Sequence, residues 1–197
     1  MFTTSSILLA IVLAAPPQEL PPTRVQGEAT SVLAQFTPAE RYRFDLGGEA
    51  GQYSEWERTG LPRFDGLATT IRVKAAKGKR SGKWASIARI DLYGARDEGR
   101  RRQLSIILAV DRATQRVSPE LWRGADLPRA PFKVDLPLGE PVDLKILTDT
   151  PGQLTIAFGE TIFRIEDDFQ IRSIGVLASG VDARFDPFAL LQRLPAG

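Results

Sequence analysis

The chain of 197 residues has no cysteine and no histidine. The first absence excludes thiol nucleophiles and disulfides. Together the two remove zinc sites built on Cys or His, an axial histidine for haem, and any Ser-His-Asp triad. An excess of one charge is also missing. The 26 Lys and Arg against 24 Asp and Glu leave a net charge of +2, which argues against a dedicated nucleic-acid binder. Long apolar runs are absent as well. Ile7-Leu8-Leu9-Ala10-Ile11-Val12-Leu13-Ala14-Ala15 is the one candidate, and it falls short of the roughly 20 apolar residues a bilayer-spanning helix needs.

That run has the length and small-residue ending of a secretory signal peptide, residues 1–14, with Val12 and Ala14 ahead of the cut. No Lys or Arg precedes it, so a short apolar N-terminal helix or strand is the competing reading. No cysteine follows to carry a lipid. The expected location is periplasmic or secreted, where disulfides are optional. Residues 15–28, with Pro16, Pro17, Pro21 and Pro22, read as an extended linker. Residues 29–197 are expected to form a single domain, long enough to bury a sizeable core.

Within that domain the dominant period is two. Val142 to Thr148 largely alternates apolar with polar residues, and Asp149-Thr150-Pro151-Gly152 supplies turn chemistry. Leu154, Ile156 and Phe158 then share a face, Gly159-Glu160 makes a two-residue break, and Thr161 to Ile165 returns. Ile171 to Ala178 and Phe185 to Leu191 read as two more strands. Upstream, Tyr42, Phe44 and Leu46 alternate with Arg41, Arg43 and Asp45, and Gln52 to Arg58 is a second candidate. Leu67 to Ala75, Trp84 to Tyr93 and Gln103 to Asp111 follow, the last two as a long hairpin. Arg116 to Asp126 reads as irregular, and Phe132, Val134 and Leu136 mark one more strand. About ten short strands at regular spacing predict an all-β sandwich.

Pro141-Val142-Asp143-Leu144-Lys145-Ile146, then Gly152-Gln153-Leu154-Thr155-Ile156-Ala157-Phe158, then Ile174 to Phe188, resemble the closing strands of concanavalin A-like and laminin G-like jelly rolls. In those domains a Gly-x-Leu-x-Ile hairpin precedes a small–Gly–x–Asp–Ala–x–Phe–Asp segment, here Ser179 to Asp186, that returns the chain to the inner sheet. The resemblance implies a two-sheet antiparallel jelly-roll sandwich. It leaves the ligand open, because the fold hosts lectins, hydrolases, lyases and interaction modules.

Candidate function rests on the polar positions of the strands. Arg89, Asp91 and Tyr93 stand at alternate residues and so share one face. Arg72, Gln103 and Lys145 are polar positions on strands expected nearby. Such a row suits a glycan: Arg and Gln hydrogen-bond hydroxyls or carboxylates, and Tyr93 stacks on a sugar ring. The plainer reading is the solvated face of a sheet. The expectation is an exported, noncatalytic carbohydrate-binding or interaction module of the cell envelope, its ligand unknown. A polysaccharide lyase using Tyr93, Arg89 and Gln103 is the first alternative, although the Gln-x-His and Tyr-x-Lys segments of such lyases are missing. A glycoside hydrolase would need paired carboxylates on one face. Glu55-Trp56-Glu57 is the nearest approach and does not fit that family's pattern. A structural, partner-binding domain is the third class.

No cofactor is expected. Calcium has candidate carboxylates in Glu166-Asp167-Asp168 and in Asp182 with Asp186, without the spacing of a dedicated loop. Two basic clusters, Lys74-Lys77-Lys79-Arg80-Lys83 and Arg100-Arg101-Arg102, suit solubility and edge protection, or attraction to anionic polymers.

Overall fold

The computed structural model describes residues 23–25, 36–49, 52–61, 64–76, 86–97, 100–124, 129–148, 151–167 and 170–194. The expected leader and the proline run lie outside these. So do the lysine-rich loop 77–85 and the residues between Ala29 and Phe36.

Among the described residues all regular structure is β. The strands are β1 (Thr23–Val25), β2 (Phe36–Gly47), β3 (Tyr53–Arg58), β4 (Gly66–Ala76), β5 (Ile87–Asp97), β6 (Arg100–Asp111) and β7 (Arg116–Trp122). After them come β8 (Ala130–Pro131), β9 (Leu136–Pro137), β10 (Pro141–Leu147), β11 (Gln153–Phe158), β12 (Thr161–Glu166), β13 (Ile171–Ser179) and β14 (Val181–Arg193). A first sheet has the order β1-β12-β11-β10-β4-β14-β2, and a second has β3-β13-β5-β6-β7-β8, with β9 also on β7. Every pairing is antiparallel.

Three sequence expectations need correction. Thr23–Val25, inside the presumed linker, pairs with β12, where β-branched Thr and Val suit an added edge strand. Arg116–Trp122 is a strand, not an irregular stretch. It tolerates Pro119 because β8 and β9 cover its far side only in short pieces. Finally, Phe132 and Val134 are not in a strand of their own but lie between β8 and β9.

The two sheets face each other across one large apolar core, to which nearly every strand contributes alternate residues. Two aromatic clusters close its sides. At the β2 and β3 edges, Trp56 packs on Phe44 with ring centroids 4.6 Å apart and on Tyr42 at 4.9 Å, while Phe188 lies 5.2 Å from Phe44. At the opposite side Phe132, just past β8, meets Phe158 and Phe163 of the other sheet, both at 5.1 Å. Tilted and edge-on rings of this kind add to the plain burial term.

Two glycines set chain reversals. Gly159, at φ 57°, opens the two-residue β11–β12 hairpin, in which Phe158 pairs with Thr161. Gly180, also at φ 57°, is the single residue between β13 in the second sheet and β14 in the first. A corner that abrupt uses backbone space that a side chain disfavours.

Near the first aromatic cluster, Arg58 donates from Nε and Nη2 to the Glu40 carboxylate at 3.3 Å each, and the Tyr42 hydroxyl donates to the same group. The hydrogen bonds from Arg58 and then Tyr42 hold Glu40 below the ordinary carboxylate pKa, and Glu40 in turn raises that of Tyr42. A lowered folded pKa means the stabilisation is present above the unfolded value and lost as pH falls through the folded one. Both partners are more than a third exposed, so the effect is small. Glu40→Gln is expected to flatten the acid-side fall in melting temperature and barely change the midpoint at neutral pH. Melts across the acid range check this, and an unchanged acid slope refutes it.

Candidate functional site

In the second sheet, the residues alternating with the core set form a continuous outer face. Cross-strand register aligns Glu57, Gly175, Asp91, Ser105 and Trp122 in one row, and Glu55, Leu177, Arg89, Ile107 and Glu120 in the next. Beyond the first row stand Ser173, Tyr93 and Gln103; beyond the second, Tyr53, Ser179, Ile87, Ala109 and Ser118. The centre of this face is sheltered. Asp91 and Ser105 are 0% exposed, while Tyr93 and Ser173 are buried, as are Ile87, Ile107 and Leu177. A sheet's outer face is ordinarily the wetter one.

Asp91 organises the polar part. Its Oδ2 accepts from Arg89, with Nε and Nη2 both at 2.9 Å, and from the Tyr93 hydroxyl at 3.3 Å. Its Oδ1 accepts from Gln103 Nε2 at 3.0 Å and from Ser105 Oγ; Gln103 also donates to Ser105 at 3.1 Å. A buried carboxylate is tolerable on these terms: a guanidinium neutralises it and neutral donors occupy the remaining lone pairs. Gly175 makes the space. A Cβ there would stand 3.5 Å from the Tyr93 ring, 3.7 Å from Asp91 Cβ and 3.2 Å from the Trp56 carbonyl oxygen. Tyr93 is held above the ordinary tyrosine pKa, first by burial, then by the charge of Asp91 and next by that of Glu55.

The structure thus brings together four of the six predicted residues, Arg89, Asp91, Tyr93 and Gln103. The other two are elsewhere. Arg72 lies on β4 opposite Pro141 and Arg184, and Lys145 lies on β10 opposite Ala68 and Ala157, both on the outer face of the first sheet. The whole core separates them from Tyr93. Alternation correctly marks them as non-core but carries no information on which sheet a strand joins. Asp91 also differs from expectation: fully buried and saturated, it positions its neighbours and offers no surface to a ligand.

The expectation passed over Trp122, partly exposed beside Ser105 and packed on the apolar end of the face formed by Ile87, Ile107 and Leu177. The signal was available in the four-residue spacing of Val117 and Leu121, which places Glu120 and Trp122 on the opposite side. Glu55 and Glu57 stand exposed on edge strand β3, on the face that holds Asp91. Among the calcium candidates, Asp167 takes Arg102 at 3.1 Å and Asp186 takes Arg184 and Arg43. Among the described residues no group of three or more metal-ligating side chains converges. Asp168 lies outside the described residues, as do Lys77 to Lys83 and the side chains of Arg100 and Arg101.

Two layers of antiparallel strands with this connectivity define a jelly-roll sandwich of the concanavalin A-like kind. The sequence matches no protein-family profile, and no curated protein matches it at a significant level. Solved structures share the fold. An alginate lyase from Pseudomonas aeruginosa superposes with a TM-score of 0.55 at 13% identity, over 88% of this chain and 97% of the lyase. A fructofuranosidase from Schwanniomyces occidentalis, complexed with fructose, gives 0.53 at 7% identity over 80% of this chain. The alignment spans only 34% of that enzyme's length. At such identities the likeness is one of fold.

Proposed function

We propose that this protein is an exported, noncatalytic carbohydrate-binding module of the cell envelope, taking glycans on the outer face of the second sheet. The observation that carries this reading is the sheltered patch in which Arg89, Tyr93 and Gln103 are bonded to buried Asp91, with Trp122 alongside. Pre-oriented amide and guanidinium donors beside aromatic rings suit hydroxyls and sugar faces. Those bonds to Asp91 reduce the ordering cost that weakens most polar sites. Export rests on the apolar leader ending at Ala14.

A lyase is the second reading, favoured because Tyr93, Arg89 and Gln103 do share one face. The chemistry is less favourable. A tyrosine base needs a lowered pKa, whereas burial and Asp91 raise that of Tyr93, and its hydroxyl proton is directed at Asp91.

Titration calorimetry of the full-length protein against neutral and acidic polysaccharides tests both readings. A binder gives heat and no product, while a lyase creates an unsaturated sugar absorbing in the near ultraviolet. Trp122→Ala is expected to weaken binding roughly tenfold, about 1.4 kcal/mol, and to lower the melting temperature while keeping one cooperative transition, since Trp122 packs on Ile87, Ile107 and Leu177. Full affinity in that variant removes Trp122 from the site, and no binding to any glycan defeats the module reading.

A further inference from the structure

Arg89 is the cation that would recognise a carboxylated sugar on this face, and its charge is already spent. Both Nε and Nη2 converge on Asp91 Oδ2, beneath a surface where Asp91 has no exposure. Two described cations, on β7 and just before its neighbour β8, are matched as well. Arg129 pairs with Glu120 at 3.3 Å, and Arg116 pairs with Asp135 at 2.6 Å. Against these balanced pairs, β3 contributes Glu55, exposed and in the same cross-strand row as Arg89. Its field reaches the centre of the face, since Glu55 is among the charges that act on Tyr93. At the far end, Ser179 is 2% exposed and its Oγ has no hydrogen-bond partner. That buried, unpartnered hydroxyl asks for a neutral donor or acceptor, which a sugar hydroxyl supplies.

Resting on the reading of this face as a glycan site, we infer that it selects glycans without carboxylate or sulfate groups, and that Glu55 is a specificity-determining residue against acidic polymers. The outer face of the first sheet carries exposed Arg41, Arg72 and Arg164 and half-buried Lys145, and the core separates the two surfaces.

The test compares matched oligosaccharides, neutral, amine-bearing and uronate-bearing, on full-length wild type and Glu55→Gln at low and high salt. The neutral and amine-bearing ligands are expected to bind more tightly than the uronate at low salt. One like charge about two strand spacings, roughly 10 Å, away is worth about two- to tenfold, depending on local screening. Added salt and Glu55→Gln should each narrow that gap. Glu55 is exposed, so the variant is expected to fold. If the uronate binds best, or if Glu55→Gln leaves the gap intact, the selectivity inference falls and the glycan-binding reading stands. If none of the three ligands binds, both fall.

Discussion

Replacing Asp91 with alanine is expected to cost about 3–5 kcal/mol of stability, the usual penalty for removing one partner of a buried ion pair. The loss comes from what remains. Arg89, with 19% of its side chain exposed, would keep its charge without the carboxylate that offsets it. Tyr93, Gln103 and Ser105 would lose the acceptor at the centre of their network. For a chain of this length, each kcal/mol moves the melting temperature by about 2–4 °C, so a fall of roughly 10 °C is expected. The double variant Arg89→Met with Asp91→Leu removes both charges and should recover most of the loss, because apolar isosteres avoid the desolvation cost. That folded double variant should still fail to bind glycan, which separates the site's function from its contribution to stability. Wild-type melting for Asp91→Ala would show that the Asp91 network is not energetically coupled.

Phe188→Ala should have an effect of similar size, about 3–5 kcal/mol, by a different mechanism. Phe188 is 0% exposed and meets the rings of Tyr42, Phe44, Trp56 and Phe185. Its removal leaves a cavity where β14 of the first sheet packs toward β3 of the second. Bulky rings on all sides collapse poorly into such a space. Trp56 lies 6.1 Å from Phe188 by ring centroids, so its emission reports loosening at that edge directly. Tyr53→Ala is the control. With 55% of Tyr53 exposed, the change is expected to stay within about 0.5 kcal/mol. Equal melting of Phe188→Ala and wild type would mean the aromatic edge does not contribute to the folded core.

The strands most legible in the sequence were those with clean alternation and an explicit turn. Leu154, Ile156 and Phe158, followed by Gly159-Glu160, form the β11–β12 hairpin as expected, because period and turn chemistry agree there. The expectation failed where a local rule was overridden from outside. Arg116 to Asp126 read as irregular, yet β7 runs from Arg116 to Trp122 through Pro119, since its poorly covered far side does not require that N–H. Phe185 and Phe188, three residues apart, both face the core because β14 shifts register between them against both neighbours. Simple alternation would have turned Phe188 outward.

The same contrast governs the site. Side-chain direction along a strand follows from the backbone within a residue or two, so the sequence alone determined that Arg72, Arg89, Tyr93, Gln103 and Lys145 stand off the core. Sheet membership depends on which distant strand supplies each backbone partner, and the chain changes sheets between β4 and β5. The expected β5–β6 hairpin already set Arg89 and Tyr93 beside Gln103, and only the tertiary structure decided that Asp91 is buried among them beside Trp122, while Arg72 and Lys145 face the opposite side. Pairing between strands far apart in sequence leaves no periodic mark in either strand, whereas the direction of each side chain does.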